Sequence, residues 1–160
     1  MTLIVRGILW FGLYLFLILL PLATAAISDP SRVSPPFIVE LGVGAGFVGL
    51  ALMCLEFALI SRIKAAAQAL GEDSLQLFHN LMGMVALLFL VAHPVLLVFA
   101  GYPSNCWLNP FASCANVATR TAALALYALV LLVLLSIWRK KLGIKYELWQ
   151  ITHGLFALFV

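Results

Sequence analysis

Charge is scarce in this 160-residue chain: Asp, Glu, Lys and Arg make up 9% of it, against 65% hydrophobic residues and a mean hydropathy of +1.16. A soluble domain carries about 25% charged residues, so this chain has too few to cover a surface in water. That shortage excludes a soluble enzyme, a disordered tail and a nucleic-acid binder, and leaves an integral membrane protein. Cysteine is scarce too, and three residues are too few for a disulfide scaffold. The surplus of nine basic over six acidic side chains is too small and scattered for a polyanion site and reads as membrane topology.

What is abundant is long apolar sequence. A helix crossing the hydrocarbon needs about 20 apolar residues. Five runs stand out, near residues 3–27, 37–60, 75–100, 121–138 and 148–160. They predict an all-α, polytopic transmembrane helix bundle. Ser28-Asp29-Pro30 and Pro35-Pro36 separate the first two runs, a polar stretch from Ser61 to Ser74 the next two, and a loop from Gly101 to Thr119 follows the third. Arg139-Lys140-Lys141 stops the fourth. Arg62, Lys64, Arg139, Lys140, Lys141 and Lys145 all fall in the second and fourth connections, whereas the first and third hold only Arg32 and Arg120. Cytoplasmic loops collect Lys and Arg, so the N-terminus is expected in the cytoplasm, in agreement with Arg6. Arg6, the apolar stretch and Ala23-Thr24-Ala25 also resemble a signal peptide. The run is long enough to span, however, and retention as a helix is the preferred reading; the orientation is the same either way. The fifth run, 13 residues from Leu148 to Val160, makes a helix of only about 20 Å, short of the ~30 Å hydrocarbon. The chain is therefore expected to be the N-terminal piece of a longer protein.

The three histidines, His79, His93 and His153, all fall in spans. An ionisable residue there is costly and marks a functional candidate; the bland alternative is a neutral imidazole bonded to a neighbouring helix. His79 and His93 are 14 residues apart, which on a helix puts them about 40° apart around the axis and about 21 Å apart along it. His79 lies six residues past Asp73 and His153 eight past Lys145, so both are expected at one inner depth and His93 near the outer surface. Two imidazoles at one depth can clamp a haem iron, and the spacing to His93 leaves room for a second haem. Gly83, four residues past His79, would let a porphyrin approach the backbone or would serve helix packing. Gly154 is similarly ambiguous, and Pro94 can kink the helix beside His93. Zinc fits poorly, because its sites need three or four clustered ligands.

His79-Asn80-Leu81-Met82-Gly83 with His93-Pro94, and Tyr146-Glu147-Leu148-Trp149-Gln150-Ile151-Thr152-His153-Gly154, resemble the third and fifth helices of the ferric reductase and NADPH oxidase family. The resemblance implies six helices and two b-type haems, held by two histidines on each of those helices. It makes His79 and His153 the ligands of an inner haem iron and His93 one ligand of an outer one, with the fourth expected 13 or 14 residues past His153. It also implies electrons passing from NAD(P)H through flavin (FAD) to the haems, and on to an external acceptor such as ferric iron or oxygen. The flavin and nicotinamide parts would lie on a downstream or separate reductase domain, the implied partner. The haem-bearing membrane subunit of a periplasmic methionine sulfoxide reductase system has similar helices. Readings from other classes are a transporter or channel using its histidines for proton or substrate movement, and a haem-free structural subunit.

Other residues take plainer readings. Cys106 and Cys114 fall in an outer loop, where a disulfide can persist; the alternative is two free thiols. Cys54 is expected to be a small packing residue. Glu56 would pair with Arg62 or a haem edge group or relay protons, but a carboxylate reaching interfacial water is the favoured expectation, as for Glu40. Trp107, Trp138, Tyr146 and Trp149 suit the interfaces. Phe78 and Phe89 are expected in core packing, and the basic segment from Arg139 to Lys145 would anchor topology and offer a dock for a flavoprotein.

Overall fold

The structure, a computed structural model, describes residues 3–28, 35–60 and 71–159. Arg32, Arg62 and Lys64 lie outside the described residues. Among those described the chain is all-helical: α1 (Leu3–Ile27), α2 (Phe37–Ile60), α3 (Glu72–Phe99), α4 (Ser104–Leu108), α5 (Val117–Trp138) and α6 (Tyr146–Phe159). Four of these, α1, α2, α3 and α5, are long and apolar enough to cross a membrane. Their exposed faces carry Ile8, Phe16, Leu88 and Leu131 among many large apolar side chains, which suits contact with lipid, where only a backbone hydrogen-bonded within itself is tolerated.

Helix ends follow local polar chemistry more closely than they follow hydropathy. Helix α3 begins at Glu72, within the polar stretch that precedes its apolar run. Asp73 lies in the first turn, where negative charge complements the helix dipole. Helix α5 begins at Val117, before its apolar run, because the Asn116 side chain caps it by accepting from the Thr119 N–H at 2.9 Å. After Trp138 the last turn closes with Ile144 N–H donating to Arg139 O at 3.2 Å and Gly143 N–H to Lys140 O at 3.4 Å. Gly143 takes φ +65° there, the left-handed conformation such a helix stop requires. Pro94 is buried and α3 continues past it to Phe99.

The chain divides into two compact units, Met1–Ala100 and Gly101–Val160. In the first, α2 packs on both α1 and α3. Ile18, Leu52 and Ala86 form its buried centre, with Tyr14, Met82 and Phe89 packed against them. Phe78 meets Tyr14 edge-on, ring centroids 5.0 Å apart. The α2–α3 contact is close because α2 presents Gly42, Gly46 and Gly49 to it. A Cβ at Gly42 would stand 3.2 Å from Leu96 Cβ, and one at Gly49 2.7 Å from Leu90 Cγ and 3.2 Å from its backbone N. Cys54, in contrast, is exposed and not a packing residue: this helix buries its glycines against α3 and turns the thiol away.

In the second unit the segment before α5 is more ordered than a simple loop. It contains α4, and Cys106 and Cys114 are joined in a disulfide with Cα atoms 5.3 Å apart. The Arg120 side chain donates to Ala115 O at 3.0 Å and Ala112 O at 3.4 Å, and the Tyr127 hydroxyl donates to Leu108 O. Backbone carbonyls that no helix satisfies are thus met by side chains of α5.

Two outcomes follow. Alkylation of the denatured, unreduced protein should label only Cys54, and reduction should expose all three thiols; labelling of Cys106 or Cys114 before reduction would contradict the bridge. Gly49→Ala should destabilise the α2–α3 pair by about 1–3 kcal/mol through overpacking, read as a lower melting temperature in detergent, whereas Gly83→Ala, with nothing within 4 Å of its Cβ position, should not.

Candidate functional site

Each histidine is held by a hydrogen bond from its Nδ1. On α3, His79 Nδ1 donates to Glu56 Oε2 and His93 Nδ1 donates to Gly42 O at 2.8 Å. Both acceptors lie on α2. Helices α2 and α3 run antiparallel, so residues 42 and 56 of one match 93 and 79 of the other, and one helix contact serves both histidines. This places His79 and His93 on the same face of α3. Gly46 makes the contact possible at His93, since a Cβ there would stand 2.8 Å from His93 Nδ1.

The second unit holds His153 on α6. The Ser136 hydroxyl of α5 donates its one proton to Leu132 O at 2.8 Å. Its oxygen is then an acceptor for His153 Nδ1 at 3.2 Å and for Trp149 Nε1 at 3.3 Å. The Trp149 ring also stacks on His153, centroids 4.9 Å apart. Arg139 lies over the Tyr146 and Trp149 rings, at 5.2 and 5.0 Å from their centroids. So the first basic residue after α5 turns back onto α6, while Lys140, Lys141 and Lys145 stay exposed.

The acceptors decide the tautomers. A peptide carbonyl can only accept and a carboxylate accepts, whereas a hydroxyl can donate or accept. In neutral form His79 and His93 therefore carry the proton on Nδ1 and have Nε2 as the acceptor nitrogen, and His153 does the same when Ser136 gives its proton to Leu132 O. A metal-ligating histidine commonly has this arrangement, with the remote nitrogen on the metal and the other N–H bonded to a carboxylate or carbonyl. Gly83, one turn past His79, has nothing within 4 Å of where a Cβ would stand, so the packing role falls to the α2 glycines instead. Among the described residues no three His, Cys, Asp or Glu side chains group to hold a metal ion by themselves.

Glu56 departs most from expectation. It is 4% exposed, so its carboxylate does not reach interfacial water, because the α2–α3 contact encloses it. Its Oε1 is buried together with the Tyr14 hydroxyl of α1, which faces it. Sequence reasoning also missed Ser136 and the Gly42–Gly46–Gly49 stripe. The stripe has a readable signal, small residues four and then three apart on one helix face. A lone serine in an apolar helix has none.

Ser136→Ala should leave the His153 and Trp149 donors without their acceptor, at a cost of about 1–3 kcal/mol. The check is thermal melting in detergent beside Ser136→Thr, which keeps the hydroxyl and should melt near the parent; equal losses in both variants would argue against the bond.

Residues 45–160 match the family model described as "Ferric reductase like transmembrane component". No curated protein and no solved structure matches the chain. The matched segment contains all three histidines, Glu56, Gly83 and Ser136, and it extends over most of the chain. The chain therefore belongs to the ferric reductase-like transmembrane component family, as an integral membrane protein with the membrane electron-transfer role in an oxidoreductase that this membership suggests.

Proposed function

We propose that the chain binds b-type haem and serves as the membrane part of an oxidoreductase, moving electrons from a cytosolic flavin and NAD(P)H donor to an extracytoplasmic acceptor such as ferric iron or oxygen. The observation that carries this reading is that Nδ1 of His79, His93 and His153 each meets a protein group. That is the arrangement of a metal-ligating histidine, whose remote nitrogen binds the metal. An all-imidazole donor set, one nitrogen per residue, fits an iron whose other ligands come from a porphyrin. A bound haem would supply a one-electron Fe(III)/Fe(II) couple.

In this reading His79 and His153 would hold the iron of an inner haem, and His93 would hold that of an outer one. Gly83, with open space at its Cβ position, leaves room for a flat ligand one turn from His79. Glu56, Gly42 and Ser136 orient the three rings. Trp149 stacks on His153 and limits its rotation. The Cys106–Cys114 disulfide supports an extracytoplasmic loop before α5, since such bonds persist outside the cytoplasm. Lys140, Lys141 and Lys145, past the other end of α5, support a cytoplasmic face there. On this reading the N-terminus is cytoplasmic, the membrane is a bacterial plasma membrane, and a reductase domain or subunit docks on the basic face.

Purified in detergent with haem supplied, the protein should show a sharp low-spin b-type α band on reduction. His79→Ala and His153→Ala should remove the same haem, and His93→Ala should spare it. A colourless parent protein would sink the proposal, and loss of different haems in the first two variants would break the pairing.

A further inference from the structure

The three histidines differ in one respect that bears on their chemistry. The acceptor for His93 is the Gly42 carbonyl and that for His153 is the Ser136 hydroxyl, both uncharged. The acceptor for His79 is the Glu56 carboxylate, buried at 4% exposure. We infer that Glu56 is a positioning residue that acts through His79: its charge-assisted bond to Nδ1 lowers the reduction potential of the iron that His79 ligates, relative to an iron ligated by His93. This inference rests on the haem-binding reading above and adds to it a residue and an order of potentials.

The physical argument has two parts. A carboxylate accepting the Nδ1 proton makes the ring a stronger electron donor at Nε2, and stronger donation favours Fe(III) over Fe(II). The negative charge also acts directly, because reduction removes one positive charge from the iron and a nearby anion in a low-dielectric interior opposes that loss. Glu56 meets both conditions. It is enclosed at the α2–α3 contact at 4% exposure, and its Oε2 is the atom that meets His79 Nδ1. The Gly42 carbonyl, a dipole without net charge, gives His93 much less of either effect. One electron enters per iron and no proton need follow. The order that results, lower potential at the inner site and higher at the outer, makes transfer toward the outside the downhill direction.

The test is a potentiometric titration of the haem-loaded protein, with dithionite as reductant and the haem of His79 identified as the one missing from His79→Ala. Glu56→Gln keeps an acceptor of nearly the same shape and removes only the charge. It should shift the reduction equilibrium of that haem about tenfold toward Fe(II), a rise of about 59 mV for one electron. The g values of the ferric haem in electron paramagnetic resonance should move with it, and the His93 haem, where present, should stay unchanged. Glu56→Asp restores the charge and should return the midpoint most of the way to the parent value. A loaded Glu56→Gln protein with an unchanged midpoint overturns the inference while leaving haem binding intact. A Glu56→Gln protein that takes up no haem overturns it as well, since the carboxylate would then govern binding and not potential. A parent protein that binds no haem is the separate failure of the underlying reading.

Discussion

The close approach of α2 to α3 is the contact on which the first unit depends. Three glycines on one face of α2 let Leu90, His93 and Leu96 of α3 come within ordinary side-chain reach of the α2 backbone. Apolar side chains at those positions would hold the helices apart, and the His93 ring would no longer reach Gly42 O at 2.8 Å. In lipid there is little hydrophobic drive between helices, so close packing and interhelical hydrogen bonds must supply the association. The same contact also encloses Glu56 and brings it to His79. Packing and polar chemistry are here one arrangement: the helix pair that satisfies the backbone also fixes the orientation of two imidazoles 14 residues apart.

The second unit solves the same problem with different groups. Ser136 is a relay of acceptors, donating to its own helix at Leu132 O and accepting from both His153 and Trp149. Arg139 lies over Trp149 in a cation–π contact, worth about 0.5–1 kcal/mol at an exposed site. At the opposite end of α5, Arg120, Tyr127 and the disulfide tie down the turns before the helix. Both ends of α5 therefore use side chains to meet carbonyls or donors that helical geometry leaves over, as a polar backbone at a membrane boundary requires.

Three chemically different groups, a carboxylate, a carbonyl and a hydroxyl, meet Nδ1 of three histidines. A structural histidine bonded to a neighbouring helix needs no such uniformity, and either ring nitrogen would serve. Use of Nδ1 each time is the arrangement of a metal-ligating imidazole, which is why the proposal of haem binding draws on hydrogen bonds and not on residue identity alone. The difference between the acceptors is the complementary point, since only one of them brings charge into the interior.

Sequence alone determined the class of this protein. Long apolar runs with few charges can fold only as membrane helices, because hydrocarbon offers the backbone no other partner. The motifs around His79, His93 and His153 likewise pointed to the ferric reductase-like family without any coordinates. Tertiary structure decided what those residues touch. Glu56 reads in sequence as a carboxylate near a helix end that would find water, and only the pairing of α2 with α3 shows it enclosed and bonded to His79. Cys54 reads as a packing residue, and only the rotation of α2 shows the glycines taking that role. Ser136 carries no sequence signal at all, because its partners lie on the following helix, and a hydrogen bond between helices depends on their rotation and depth, which hydropathy does not encode.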